Sequence, residues 1–232
     1  MSRHVRPHSG SIRARRTVWL MAAVGVFCVA EFTDASSAHQ PSTSPLQRHA
    51  ISPDTYASVA SGVALIKTFS CAGRPLASGT GFLVGSRVLM TARHVIVGVK
   101  GVCSVRAYMG NRSYTASLIR YWRSSSSNQG SVDLATMKLS QSALNDYVFS
   151  FAPRTPPLGT TIAMIGHPLG NPLSLAQGPL RFVGTLAGVP QIGVVLTTAK
   201  GSSGSPLLDP NGDVVGILQK GFSPIARARS PV

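Results

Sequence analysis

From residue 62 onward, hydrophobic positions fall into short runs separated by Gly, Ser, Asn or Pro, without a sustained helical repeat. Such runs predict β-strands, here at 62–69, 79–84, 87–91, 102–109, 114–122 and 134–139. The stretch 140–159 contains Pro153, Pro156 and Pro157, which cannot donate to a sheet ladder, and it forms the natural connection between two halves. A second set of strands is predicted at 160–166, 173–186, 194–198, 206–208 and 214–219. Short strands at regular spacing indicate a sandwich or barrel rather than alternating β and α units, with helix scarce throughout. No internal repeat is visible.

The N-terminus follows another pattern. Arg3, Arg6, Arg13, Arg15 and Arg16 precede an apolar run from Val18 to Ala30, and small residues including Ser36 and Ala38 follow. That order predicts a signal peptide over residues 1–38, with cleavage near Ala38. A permanent anchor is the weaker alternative, because the run holds 13 residues and a spanning helix needs about 20. Arg15-Arg16 ahead of the run is loosely similar to a twin-arginine signal. Residues 39–54 are rich in Ser, Pro, Gln and His without periodicity and read as a flexible linker or pro-segment ahead of a folded domain at 55–232.

Composition narrows the class. With 44% hydrophobic residues, 23 Gly, 16 Pro and 12% charged residues, the chain is too apolar for disorder and too rich in turn formers for a helical bundle. Net charge is +15; loss of the leader removes five arginines, Glu31 and Asp34 and leaves 17 bases against 5 acids. Lys and Arg are nevertheless spread singly, without a basic stripe or interleaved aromatics, so no specific nucleic-acid partner is expected. Anionic surface partners are the residual candidate for such a field. Cys28 falls in the leader, which leaves Cys71 and Cys103 as one candidate disulfide or two buried thiols.

The chemistry concentrates in three places. Lys200-Gly201-Ser202-Ser203-Gly204-Ser205-Pro206 is a glycine-flanked turn between apolar strands. Taken alone, such a serine is ordinary turn chemistry. Thr91-Ala92-Arg93-His94-Val95 closes an apolar strand, and Ser131-Val132-Asp133-Leu134-Ala135 opens another. Together they resemble the serine, histidine and aspartate motifs of the chymotrypsin/trypsin-like serine peptidases. The form G-S-S-G-S-P is nearest to bacterial glutamyl endopeptidases and HtrA-type proteases. The order His, Asp, Ser also belongs to this group and not to subtilisins or α/β-hydrolases.

The resemblance spans about residues 62–221 and implies an all-β fold of two six-stranded antiparallel barrels, about 60–140 and 160–222. The active site would lie at their interface. It implies an exported serine endopeptidase acting on polypeptides, with Ser203 as nucleophile, His94 as general base, Asp133 as its orienting acid and the N–H groups of Gly201 and Ser203 as the oxyanion hole. No cofactor is implied. The rival expectation is a catalytically silent, protease-like binding protein that uses the cleft or the basic surface.

By the same resemblance the pocket for the residue before the cleaved bond would be walled by Thr197, Thr198, Lys200, Leu218, Gln219 and Gly221. Leu218 stands where glutamyl endopeptidases carry a histidine. Ser202 stands where zymogen-type members have an aspartate, so their amine switch is not expected, and Cys71 and Cys103 bracket His94 at a wider span than the familiar bridge. The 29 residues after Ser203 leave no room for the PDZ domain usual in HtrA-type proteases. Asp209-Pro210-Asn211-Gly212-Asp213 lacks the spacing and closing Glu of a calcium loop and predicts a hairpin turn. Gly79-Thr80-Gly81 fails the dinucleotide fingerprint, and His94, His167 and the cysteines lack zinc spacing, so no metal is expected.

Overall fold

The computed structural model describes residues 25–29, 51–122, 132–186 and 188–222. The predicted leader positions 1–24 and 30–38 and most of the linker, 39–50, lie outside them. The first described helix, α1 (Pro53–Ala60), overlaps the end of the predicted linker. Ser52 caps it by accepting the Thr55 N–H, Pro53 sits in its first turn, and Asp54 complements the positive end of its dipole.

Six antiparallel strands then form a closed barrel: β2 (Val63–Phe69), β3 (Pro75–Gly85), β4 (Val88–Thr91), β5 (Ser104–Met109), β6 (Arg112–Tyr121) and β7 (Ala135–Leu139). Their order around it is β2-β3-β4-β7-β6-β5. Alternation sets its inside; on β5, for example, Val105, Ala107 and Met109 are buried while Ser104 and Arg106 are exposed. Ile66, Leu83, Leu89, Met109, Met137 and Leu139 fill the interior. Cys71 and Cys103 form a disulfide that ties the β2–β3 turn to the start of β5, worth about 2–4 kcal/mol through restriction of the unfolded chain.

The second barrel is built from β8 (Thr161–Gly166), β9 (Ser174–Leu186), β10 (Val189–Val195), β11 (Pro206–Leu208) and β12 (Val214–Phe222). Its sixth place, between β10 and β12, is held by β1 (Gly25–Val29), which runs parallel to both. The two-barrel, all-β expectation therefore holds, and the departure from a wholly antiparallel second barrel is this one strand. It comes from the apolar run that the sequence reads as a leader. Its removal would leave the facing edges of β10 and β12 without their ladder partner.

The strand β8 joins the barrels by its two faces. Ile162 and Met164 point into the second barrel with Leu180, Ile192 and Val194, while Ala163 and Ile165 join Val63, Phe82, Met90, Leu134 and Phe149 in the seam. Phe82 and Phe149 pack edge to face there, 5.4 Å between centroids. A strand buried on both faces reads as a continuous apolar run, which is why 160–166 is unbroken in the sequence.

The β11–β12 connection is the predicted turn. Asp209 accepts the N–H groups of Asn211 and Asp213 on one carboxylate oxygen, and Gly212 takes φ +88°. Among the described residues no helix is long and apolar enough to cross a membrane, and no cluster of three His, Cys, Asp or Glu occurs.

Candidate active site

The first barrel presents His94 on a single helical turn, α2 (Arg93–Ile96), directly after β4. Its N-cap, Ala92, has no side chain to satisfy the free N–H groups of that turn. Asp133, two residues before β7, supplies the acceptor instead. One carboxylate oxygen takes the His94 backbone N–H at 2.8 Å and the other lies 2.5 Å from His94 Nδ1. A carboxylate only accepts, so Nδ1 carries the proton in the neutral ring and Nε2 keeps its lone pair. The His94 side chain is 41% exposed and that of Asp133 11%, which leaves the imidazole reachable and its anchor covered. Burial pushes the Asp133 carboxyl up, but its bonds to His94, the His94 charge and the Arg93 guanidinium outweigh burial and hold it below the usual carboxylate value.

The second barrel presents the serine loop between β10 and β11. Gly201 and Gly204 both adopt positive φ, +93° and +87°, which glycine reaches without a steric cost. A Cβ on Gly204 would lie 2.1 Å from the Thr80 carbonyl oxygen and 2.9 Å from Ala92 N, so the loop presses against the chain that leads into the His94 turn. Ser202 and Ser205 are fully buried with hydroxyls that meet no partner; Ser203 alone of the three is partly exposed.

The backbone donors of the loop divide sharply. Ser202, Gly204 and Ser205 donate to the carbonyls of Ala199, Leu218 and Ser202, whereas the N–H groups of Gly201 and Ser203 have no acceptor among the described residues. The Lys200 carbonyl accepts the Leu169 N–H at 2.5 Å. In a planar trans peptide the C=O and N–H point oppositely, so this bond turns the Gly201 N–H away from Leu169.

A model of the trypsin-like peptidase domain matches residues 79–217, more than half of the chain. The chain belongs to the trypsin-like peptidase family. Serine protease Rv3671c of Mycobacterium tuberculosis H37Rv is 26% identical over 151 residues, 60% of this chain and 35% of that protein. The chain thus spans about a third of that curated relative's length. Among solved structures, the active form of the Rv3671c protease superposes with TM-score 0.58 at 22% identity, covering 81% of this chain and 85% of that one. A serine endoprotease from Yersinia pestis gives 0.57 at 24% identity, covering 72% and 57%. Both likenesses show the fold.

Within the family frame, the predicted pocket residues separate by exposure. Thr197 and Lys200 are exposed, Thr198 and Gln219 half-buried. Leu218 is 3% exposed and packs with Ile162, Met164 and Val215 inside the second barrel, so its side chain serves the core rather than a pocket wall. Gly221 lies on β12, opposite Cys28 of β1.

Three residues that sequence reasoning passed over converge on the serine loop. These are Thr80, His167 and Leu169, placed by β3 and by the β8–β9 connection. Burial pushes the His167 imidazole below its usual value, with a partly offsetting bond from Nδ1 to the Asn171 carbonyl. The unfolded chain therefore takes up this proton first, and stability is present above the ordinary value of 6.5 and lost as pH falls below it. Thermal unfolding from pH 7.5 to 5.5 is expected to show a smaller loss in His167→Gln than in wild type; parallel curves would remove this contribution.

Proposed function

We propose that the chain is an exported serine endopeptidase in which Ser203, His94 and Asp133 form a catalytic triad. What supports the reading is the pair of N–H groups at Gly201 and Ser203 that have no acceptor among the described residues, in the loop whose partly exposed serine is Ser203, beside a histidine already oriented by a covered carboxylate. His94 Nε2 takes the Ser203 proton as the oxygen attacks a peptide carbonyl. The two N–H groups receive the resulting oxyanion, and Asp133 stabilises the imidazolium. His94 then passes the proton to the leaving amine, and water, activated by the same base, releases the acyl group from Ser203. These steps use only side chains and backbone donors of the chain.

A fluorophosphonate probe is expected to modify Ser203 in the folded protein. Modification of Ser205, or of no serine, sinks the assignment. Because Ser202 has no carboxylate, activity is proposed to arise without pairing to a newly cut terminal amine. Export is proposed from the basic and apolar leader; N-terminal sequencing of extracytoplasmic protein is expected to begin after residues 30–38. That cut removes β1 from the second barrel, so the leader cannot serve both roles in one molecule.

No Asp or Glu occurs from Tyr147 to Leu208, so nothing in that stretch offsets desolvation of a buried cation. We propose a preference for small or medium uncharged residues such as Ala, Val, Thr or Leu before the cleaved bond. Acidic residues rank second, attracted by Lys200 at the rim. Profiling on a mixed peptide library checks this, and dominant cutting after Lys or Arg overturns the pocket.

A further inference from the structure

Thr80 lies on β3 of the first barrel, paired with Leu65 of β2, yet its polar atoms serve the second barrel. It is fully buried. Its backbone N–H donates to the Ser203 carbonyl at 2.8 Å and its hydroxyl donates to the Gly201 carbonyl at 2.9 Å. The same hydroxyl accepts the His167 N–H at 3.0 Å. The Thr80 carbonyl in turn takes the Thr91 hydroxyl at 2.7 Å, three residues before His94. Donor and acceptor of one hydroxyl are thus both engaged, one by each of the two segments.

Those segments set the plane of the Lys200–Gly201 peptide. The Lys200–Gly201 peptide, which carries the Gly201 N–H, is fixed at the Lys200 carbonyl by Leu169, two residues beyond the His167 N–H that Thr80 holds, and the following Gly201–Ser202 peptide is fixed at the Gly201 carbonyl by Thr80 itself. The connection leaves little slack, because a Cβ on Gly201 would fall 2.5 Å from the His167 carbonyl oxygen and 2.9 Å from Leu169 N. Without the hydroxyl, the buried Gly201 carbonyl and His167 N–H both lose their partner, which frees the Gly201–Ser202 peptide to turn and the β8–β9 connection that carries the Leu169 N–H to shift. A shift of Leu169 loosens its hold on the Lys200 carbonyl, and because that carbonyl and the Gly201 N–H share one planar peptide, the N–H turns with it out of the site.

We propose that Thr80 is a positioning residue, whose hydroxyl clamps the serine loop to the β8–β9 connection and so keeps the Gly201 N–H aimed at the developing oxyanion. This rests on the oxyanion-hole reading above. A hole held by such a clamp acts on the transition state and not on substrate binding, so its loss lowers kcat and leaves KM.

The test compares Thr80→Ala with Thr80→Ser, two variants that lack the same methyl and differ by the hydroxyl alone. The substrate is a tetrapeptide p-nitroanilide ending in alanine, and the inhibitor is the boronic acid of the same peptide, which presents a tetrahedral oxyanion to the hole. Thr80→Ser is expected to stay within about threefold of wild type, while Thr80→Ala loses about 10- to 100-fold in kcat with KM within about twofold. Boronate affinity should fall in parallel with kcat, and the affinity of the free peptide acid should not. Equal kcat in the two variants, or a loss confined to KM, overturns the clamp while leaving the triad standing. If either variant fails to fold by circular dichroism, Thr80→Val against wild type replaces the pair with the same expected losses. A wild-type protein inert to both fluorophosphonate and the p-nitroanilide removes the enzyme reading and the clamp with it.

Discussion

Ser203→Ala is expected to lower kcat by about 10⁶-fold, and His94→Ala by a similar factor, with the double variant scarcely worse than either. The nucleophile and its base act as one unit, because a serine hydroxyl is a weak nucleophile unless the imidazole removes its proton during attack. Asp133→Asn is expected to cost about 10⁴-fold, since an amide can donate to Nδ1 and so favours the tautomer that places the proton on Nε2. Ser205→Ala is the control. Its hydroxyl meets no partner, so its loss breaks no hydrogen bond and activity should remain within a few-fold of wild type. Single-turnover kinetics on a chromogenic peptide, with folding checked by thermal unfolding, measure all five. Retention of more than about a hundredth of the activity in Ser203→Ala would place the nucleophile elsewhere.

The candidate site was more legible in the sequence than the support around it. His94, Asp133 and Ser203 each lie where an apolar strand ends or begins, and strand ends are visible as breaks in hydrophobic runs. Gly201 and Gly204 are visible as glycines. Thr80 was not, because its significance lies in contacts 121 and 87 residues away, to Gly201 and His167, and local pattern carries no such separation. Leu218 was misplaced for a related reason: strand β12 is bulged between the residues paired with Val26 and Phe27, so simple alternation does not say which side chains face the core. The strand β10 begins at Val189, earlier than the predicted 194, because Pro190 and Gly193 resemble a break while Pro190 sits beside the hairpin turn opposite Thr185. The parallel strand β1 could not be anticipated at all, since the basic and apolar signature of its segment is that of a leader and says nothing about pairing with β10. Helix α1 did carry a signal, Ser52-Pro53-Asp54, which is a cap, a first-turn proline and a dipole-matched acid.

Gly204→Ala is expected to be the most damaging single-methyl change in the serine loop. Two costs add at this position. The residue has φ +87°, where a side chain costs about 1–2 kcal/mol. The added carbon would also stand 2.1 Å from the Thr80 carbonyl oxygen and 2.4 Å from the Thr91 hydroxyl, backbone and side chain that are both fully buried. Forcing a methyl into such a seam adds about 1–3 kcal/mol, giving about 2–5 kcal/mol in total. Gly73→Ala separates the two effects, because Gly73 has φ +74° and a Cβ there would meet nothing within 4 Å. It should lose only the conformational part, about 1–2 kcal/mol. For a domain of this size the seam variant is expected to melt about 4–20 °C below wild type and the turn variant about 2–8 °C below. Activity distinguishes them further, since relief of the Gly204 contact must push Ser203 away from α2 and its histidine, whereas Gly73 lies in the β2–β3 turn. Equal melting temperatures, with full activity in both, would show that the loop yields without strain and that the two barrels do not hold the serine through this contact.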